Sequence, residues 1–232
     1  MTLSKAYHID KHSSDRKQND YYPTPPIAIY TLVKEYDLPK NLLEPAAGRG
    51  WISYELMQNG FNVTSQDLYE YEDPLVDIET GLDFTTSPRV NVDGIITNPP
   101  FKNSLPEKFV RRSYELYDFT ALLCRNTFTE SVGRYPFFKE FPPTDILIYA
   151  NRINCSEKSI YNVKESLSGL TSYYWYIWDK RKDYTNRIDW INCKEYVDEF
   201  IALRGNNYMG LQKPKNVIKE TDKNNTLEDF FK

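Results

Sequence analysis

Histidine and cysteine are scarce in this chain of 232 residues. The two histidines, His8 and His12, lie near the amino terminus, and the three cysteines are widely spaced with no CxxC pair. A metal site and a disulfide framework are therefore not expected, and reduced thiols in the cytoplasm are the default.

Long apolar runs and an excess of positive charge are also missing. No apolar run reaches the ~18 residues of a membrane span, and residues 1–5 lack the apolar core of a signal peptide. The formal net charge of −4 argues against a nucleic-acid partner. However, seven acids and no Lys or Arg lie between Gln66 and Asp83, which leaves the rest of the chain with +3. The acidity is local, so nucleic acid is not excluded.

What the chain has in quantity is aromatic residues, which make up 15% and include 19 Tyr. This is more than a core needs, and aromatic rings are favoured where bases stack. The length suits one α/β domain.

An apolar run ending in Asn-Pro-Pro-Phe is the most informative motif. Ile95 and Ile96 suit a buried parallel strand, and the proline pair must end it because proline lacks the N–H of the ladder. Ligands of open α/β sheets bind beyond the carboxyl ends of strands. There the Asn98 side-chain oxygen and the Pro99 carbonyl offer two acceptors for one NH2 group, and Phe101 offers a ring for a flat base. A proline-rich turn with a core phenylalanine is the structural alternative.

A second motif, Glu44-Pro-Ala-Ala-Gly-Arg-Gly50, follows an earlier predicted strand. Gly48 and Gly50 permit positive φ and close approach of the backbone to a ligand. Ser53 stands where a dinucleotide fingerprint needs its third glycine, and Glu44 would repel phosphates. The loop therefore fits a nucleoside without a pyrophosphate.

Two acids further along suit the same ligand. Asp67 ends the next predicted strand, 17 residues beyond Gly50, close to the ~20-residue spacing at which an acid reaches ribose hydroxyls. Asp83 can accept from an adenine amino group beside the Phe84 ring. A solvated acidic loop is the alternative.

Basic and aromatic residues follow the proposed site. Ser104 and Glu107 predict a capping box for a helix that begins near Leu105. Lys102, Lys108, Arg111 and Arg112 place positive charge where phosphates of a bound strand can pass, although charge runs are often just a solvated face. Residues 172–180 predict an aromatic strand, one side of which faces a base pocket or packs as an edge strand.

We expect three regions: a loose arm at 1–20, a single domain at 21–205 and a loosely held tail at 206–232. Within the domain, 151–171 is polar and lacks a period, which predicts a lid or recognition loop.

Taken in order, these motifs resemble the amino-type, S-adenosylmethionine-dependent N6-adenine DNA methyltransferases over about residues 21–180. Tyr22-Pro-Thr-Pro25 is similar to the family's methionine-binding motif, Glu44–Gly50 to its glycine loop, and Asn98–Phe101 to its catalytic motif. Residues 172–180 resemble the aromatic hairpin beside the target base. The resemblance implies a Rossmann-like class I methyltransferase fold, with a mainly parallel central sheet, helices on both faces and an antiparallel C-terminal hairpin.

The resemblance also implies S-adenosylmethionine as cofactor, DNA with a flipped-out adenine as substrate, and four sets of site residues without a metal. The catalytic set is Asn98, Pro99, Pro100 and Phe101. The cofactor set is Tyr22, Thr24, Pro25, Glu44, Pro45, Ala46, Gly48, Gly50, Asp67, Leu68, Asp83, Phe84 and Asn98. The nucleic-acid set is Lys102, Lys108, Arg111, Arg112, Arg152, Lys180, Arg181 and Lys182. The base-pocket set is Phe101, Tyr174, Trp175 and Trp178.

Other functions stay open at this point. The NPP[YF] motif is shared with RNA adenine and protein glutamine methyltransferases, and a binding module that has lost transfer keeps the same fold. A NAD-dependent dehydrogenase is disfavoured by the missing third glycine. No segment of ~100 residues remains for a separate recognition domain, and the compact size is similar to stand-alone methyltransferases of phage or prophage origin. The oligomeric state and the recognition sequence are left undetermined.

Overall fold

Eight strands form one mixed sheet in the computed structural model, which describes residues 21–183 and 186–205. The predicted arm and tail lie outside the described residues. The strands are β1 Asn41–Glu44, β2 Asn62–Asp67, β3 Glu79–Thr80, β4 Gly94–Thr97, β5 Phe119–Arg125, β6 Asp145–Tyr149, β7 Tyr173–Asp179 and β8 Arg187–Ile191. Their order is β3-β2-β1-β4-β5-β7-β6-β8. All neighbours pair in parallel except that β7 is antiparallel to both β5 and β6. The predicted fold class is confirmed.

Six α-helices accompany the sheet within the described ranges. They are α1 Pro26–Glu35, α2 Trp51–Gln58, α3 Leu105–Leu116, α4 Tyr135–Glu140, α5 Val163–Ser166 and α6 Val197–Arg204. Apolar residues of α1, α2 and α6 form one core with one side of the sheet, and those of α3 and α4 form a second core with the other side. In the part of the chain that the structure describes, no helix has both the length and the apolar character to cross a lipid bilayer.

Most strands of the sheet run in one direction, so the carboxyl ends of the strands line one edge of the sheet and the amino ends line the opposite edge. β1, β2, β4, β5, β6 and β8 all end at one edge, which we call the carboxyl edge. The antiparallel strand β7 begins there with Tyr173 and ends at the opposite, amino edge, where Asp179 pairs with Phe119. Any site at the carboxyl edge therefore draws on the beginning of β7 and not on its end.

The turn after β4 differs from the predicted capping box. Asn103 and Ser104 both have positive φ, 53° and 55°, and the Ser104 side chain makes no capping hydrogen bond. A capping residue needs extended backbone, and the short turn that follows Pro100 does not allow it. The prediction of a capping box is therefore wrong. Glu107 instead accepts a hydrogen bond from Arg134 at 2.7 Å.

The segment between β6 and β7 is more regular than the irregular loop predicted for it. It contains a 3-10 turn at Ser159–Tyr161 followed by α5, and Ile160 and Tyr161 pack on Trp51 at the start of α2. The segment thereby lies beside the glycine loop.

Candidate active site at the carboxyl edge

Asn98 follows the last residue of β4, and its side-chain amide has one defined orientation. The amide nitrogen donates to the Tyr22 carbonyl oxygen at 2.9 Å and to the Thr24 hydroxyl at 3.1 Å. Because a carbonyl oxygen can only accept, the nitrogen must face Tyr22. The Asn98 Oδ1 atom is thereby directed elsewhere, and it is buried with no hydrogen-bond partner among the described residues. Such an acceptor is suited to an amino group of a ligand.

An aromatic cluster lies next to Asn98. The half-buried Phe101 ring has its centroid 6.5 Å from that of Tyr22 and 6.4 Å from that of Tyr173. The Arg125 guanidinium, at the end of β5, lies 5.4 Å from the Phe101 ring and 5.7 Å from the Tyr22 ring. Three aromatic residues and one planar cation thus come together where β4, β5 and β7 meet the carboxyl edge.

The glycine loop connects β1 to α2 and is tied to the end of β2. Gly48 and Gly50 have φ of 58° and 83°. A Cβ atom at Gly48 would lie 2.4 Å from the Tyr21 ring, so the ring packs directly on the loop backbone. The Gly48 amide donates to Asp67 Oδ2 at 2.7 Å, and the Ala47 amide to the Gln66 carbonyl at 3.0 Å.

Two buried carboxyl groups lie beside this loop. Glu44 Oε2 accepts from the Ser53 amide at 2.8 Å and from the Ser53 hydroxyl. Burial, together with the nearby Asp67 carboxylate, raises the pKa of Glu44 to about 8 against the hydrogen bonds from Ser53. Burial also raises the pKa of Asp67, while amide N–H groups including those of Tyr69 and Gly48 oppose the rise. A cationic ligand here would favour the ionised carboxylates.

One cavity joins these features. It is lined by eleven of the predicted cofactor residues, namely Tyr22, Thr24, Glu44, Pro45, Ala46, Gly48, Asp67, Leu68, Asp83, Phe84 and Asn98. Pro25 and Gly50, at the N-cap positions of α1 and α2, do not line it. Asp83 Oδ1 is already occupied by the amide and hydroxyl of Thr85. Of the catalytic set, Asn98 and Pro100 line the cavity, while Pro99 is buried and Phe101 belongs to the adjacent cluster.

The aromatic residues predicted for the base pocket are mostly elsewhere. Trp175 and Trp178 are fully buried in the two cores, where their indole N–H groups donate to the Tyr149 hydroxyl and the Phe141 carbonyl. Tyr174 lies on the opposite side of β7 from Tyr173, beside Tyr176. The tryptophans are thus core residues, and Tyr173, which the sequence analysis missed, is the member of β7 that lies near Phe101.

The predicted basic residues also separate into distinct places. Lys102 lines the cavity, and Lys108 and Arg152 are exposed. Arg111 pairs with Glu140 at 2.7 Å, and Arg112 donates to the Ser87 carbonyl.

Lys180, Arg181 and Lys182 follow the end of β7 and so lie at the amino edge. Lys180 donates to the Tyr114 carbonyl, Arg181 to Asp179, and Lys182 lies over the Tyr36 ring. This cluster is not part of the surface around Asn98, because β7 is antiparallel to its neighbours.

Tyr21 and Arg125 are further site residues that the sequence analysis missed. Arg125 is the last residue of β5, so the direction of that strand places it at the carboxyl edge. Tyr21 precedes the Tyr22 motif by one residue, and no pattern signals that its ring packs on Gly48 and lies 4.9 Å from the Tyr71 ring.

No protein-family model matches this chain, and no curated protein matches its sequence. A candidate class I S-adenosylmethionine-dependent methyltransferase from Listeria monocytogenes is similar in structure, with a TM-score of 0.50 and 11% identity over 83% of this chain and 73% of that chain. The modification subunit of a candidate type I restriction enzyme from Vibrio vulnificus has a TM-score of 0.47 and 12% identity, over 78% of this chain and 48% of that chain. A candidate RNA methyltransferase from Pyrococcus horikoshii has a TM-score of 0.45 and 15% identity, over 66% of this chain and 81% of that chain. The chain has the class I methyltransferase fold.

Proposed function

We propose that this protein transfers the methyl group of S-adenosylmethionine to the exocyclic N6 amino group of an adenine flipped out of DNA. The observation that carries the proposal is the buried, unpartnered Oδ1 of Asn98, held in place by Tyr22 and Thr24 between the cavity and the aromatic cluster. A fixed acceptor at this point can bind an amino group without reorganising during the reaction.

The cavity residues fit S-adenosylmethionine. The absence of a side chain at Gly48 lets the Tyr21 ring pack on the loop backbone, and both residues line the cavity. The buried acids Glu44 and Asp67 suit a ligand with positive charge and ribose hydroxyls. Glu44 would stabilise the positive charge, Asp67 would accept from the ribose, and Asp83 would use its second oxygen for the adenine amino group beside Phe84. Tyr22 and Thr24 would contact the methionine part. When bound, the cofactor supplies an electrophilic methyl group on sulfur.

The chain's own contribution is made at the acceptor nitrogen. Adenine N6 is a poor nucleophile because its lone pair is delocalised into the ring. The Asn98 Oδ1 atom and the Pro99 carbonyl would accept its two N–H groups, which favours a more pyramidal nitrogen with its lone pair available. Alignment and electrostatic support take the place of a strong general base, because the nitrogen loses one proton only after methylation has made it cationic and acidic.

The aromatic cluster favours a base as the acceptor. Phe101, with Tyr22 and Tyr173 near it, offers ring surface for a flipped purine, and Arg125 adds a planar guanidinium on which a base can also stack. A glutamine side chain has the same NH2 group but no ring to stack, so it makes less use of this cluster.

Labelled S-adenosylmethionine and unmethylated genomic DNA test the proposal, with nucleoside mass spectrometry of the product. We expect N6-methyladenine in the DNA. Parallel reactions with total RNA and with protein extract, together with cofactor titration by calorimetry, complete the experiment. Cofactor binding with transfer only to RNA or protein would overturn the DNA acceptor, and cofactor binding with no transfer at all would indicate a binding module.

A further inference from the structure

Leu170 presents an apolar side chain to solvent on a backbone that is fixed on both sides. Its side chain is 94% exposed. On one side, the Gly169 amide donates to the Arg152 carbonyl at 2.9 Å, and a Cβ at Gly169 would lie 2.4 Å from the Ile153 carbonyl oxygen. On the other side, the Ser172 carbonyl accepts from the Asn126 amide at 3.0 Å. An isolated exposed leucine is ordinary on a protein surface, whereas this one lies on a tightly held turn at the carboxyl edge.

The position of this turn relates it to the candidate site. Leu170 precedes Tyr173 by three residues, which limits the backbone distance between them to about 10 Å. The Tyr173 ring in turn lies 6.4 Å from the Phe101 ring. Leu170 is thus joined by a short stretch of backbone to the aromatic cluster against which a flipped base would stack.

A positive charge accompanies Leu170. The Gly169 hydrogen bond holds the backbone of Arg152 against the same turn, and the Arg152 side chain is exposed. It forms no ion pair with another residue in the described ranges. The two side chains start from neighbouring stretches of backbone, and an apolar side chain together with an exposed guanidinium can contact both a base stack and a phosphate.

We propose that Leu170 is a wedge that enters the base stack of duplex DNA beside the target adenine, while Arg152 contacts a neighbouring phosphate. This inference rests on the proposed function. Removing a base from a duplex costs stacking and pairing free energy. An apolar side chain that fills the vacated space offsets part of that cost. A single strand has no such cost, so the wedge matters for duplex DNA alone.

The test compares native and heat-denatured plasmid DNA from cells without adenine methylation, so that both substrates have the same sequence. We expect Leu170→Ala to lower the transfer rate on native plasmid by about tenfold relative to wild type, and on denatured plasmid by less than about twofold. Leu170→Met, which keeps an apolar side chain of similar size, should methylate native plasmid at about the wild-type rate.

Val132 supplies the matched control, since it is 93% exposed and lies on the turn before α4. Val132→Ala should leave both rates unchanged. Equal losses in the two alanine variants, or equal losses on the two substrates, would show a general surface or folding effect and overturn the wedge. A wild-type rate for Leu170→Ala on native plasmid would overturn it while leaving the proposed function intact.

Fluorescence anisotropy with a labelled duplex separates the wedge from methyl transfer. Weaker duplex binding by Leu170→Ala, with unchanged single-strand binding, would support the wedge even if wild-type protein methylated no DNA. Arg152→Ala should weaken binding and reduce the slope of log affinity against log salt by about one. Identical binding curves for wild type and both variants would overturn the inference.

Discussion

The side-chain amide nitrogen of Asn98 lies 2.9 Å from the carbonyl oxygen of Tyr22, a residue 76 positions earlier in the chain. This hydrogen bond joins the end of β4 to the segment that precedes α1. Because it fixes which end of the amide faces inward, the acceptor oxygen is aimed before any ligand arrives. The segment at Tyr22 is therefore a positioning element as well as part of the cavity wall.

Asn98→Ala should lower methyl transfer by about 10²- to 10³-fold, the usual cost of removing one preorganised hydrogen-bonding group at a reacting atom. Affinity for S-adenosylmethionine should change only a few-fold, since most of the cavity is unaltered. Labelled-methyl transfer and calorimetric titration measure the two quantities. Asn62→Ala, at an exposed asparagine on the amino edge, is the control. Loss of cofactor binding together with transfer would contradict the role given to Asn98.

Gly48→Ala should weaken cofactor binding by about tenfold or more, because overpacking costs about 1–3 kcal/mol and the new methyl group displaces the Tyr21 ring. Gly60→Ala is the matched control. Gly60 also has positive φ, 80°, but a Cβ there would lie no closer than 3.6 Å to its nearest neighbour, Lys40 Nζ. Both variants should lose about 1 kcal/mol of unfolding free energy from backbone strain. Equal cofactor affinities in the two variants would mean that the Tyr21 contact is irrelevant to binding.

The raised pKa of Glu44 makes stability depend on pH. Burial raises this pKa from 4.5 to about 8, so between these values the folded protein binds more protons than the unfolded chain. The free energy of unfolding contributed by Glu44 therefore falls as the pH rises through this window, and it is level above it.

Glu44→Gln should remove this contribution, so that urea unfolding at about pH 6 and at about pH 9 differs less than in wild type. Glu165→Gln, at an exposed glutamate, should keep the wild-type pH dependence. The same pH dependence in Glu44→Gln and wild type would exclude Glu44 as its source.

Tyr149→Phe should destabilise the protein by about 1–3 kcal/mol, because the buried Trp175 indole N–H loses its partner, while the Ala28 carbonyl still accepts from the Thr31 hydroxyl. The Tyr149 hydroxyl accepts from the Trp175 indole at 2.6 Å and donates to the Ala28 carbonyl at 2.6 Å. Chemical denaturation measures the change. Tyr135→Phe, at a tyrosine that is 65% exposed, should stay within about 0.5 kcal/mol of wild type. A similarly small effect for Tyr149→Phe would show that water replaces the lost hydroxyl.

The three thiols should not react with a disulfide reagent in the native protein. Cys124, Cys155 and Cys193 are all buried, and burial raises the pKa of Cys193 to about 12. Since the thiolate is the reactive form, modification should require unfolding. Colorimetric thiol counting with and without denaturant checks this. Rapid reaction of a thiol in native protein would show local opening around it.

Local chemistry accounts for what was predictable at the site. The proline pair ends β4 at Asn98, and the two glycines mark the loop before α2, because these residues restrict or widen backbone conformation wherever they occur. The strand-end rule then places Glu44, Asp67 and Asn98 at one edge of the sheet. These three residues do line one cavity.

Long-range packing accounts for what was not predictable. β8 alternates polar and apolar residues, but its apolar Ile188 and Trp190 are exposed, so the strand is held by pairing with β6 and not by a buried side. The residues 172–180 are aromatic on both sides, so the sequence does not say which ring meets Phe101. Which ring meets Phe101 depends on the antiparallel direction of β7. This direction brings Tyr173 to the carboxyl edge and residues 180–182 to the amino edge.

The sequence by itself determined the ends of the central strands and the amide group at Asn98, because each depends on residues that are neighbours in the chain, and the order of the motifs along the chain predicted the fold class. Only the tertiary structure decided the orientation of the Asn98 amide, the cluster of Phe101, Tyr173 and Arg125, and the position of Leu170. Each of these depends on contacts between segments far apart in the chain, and such contacts exist only once the sheet has assembled.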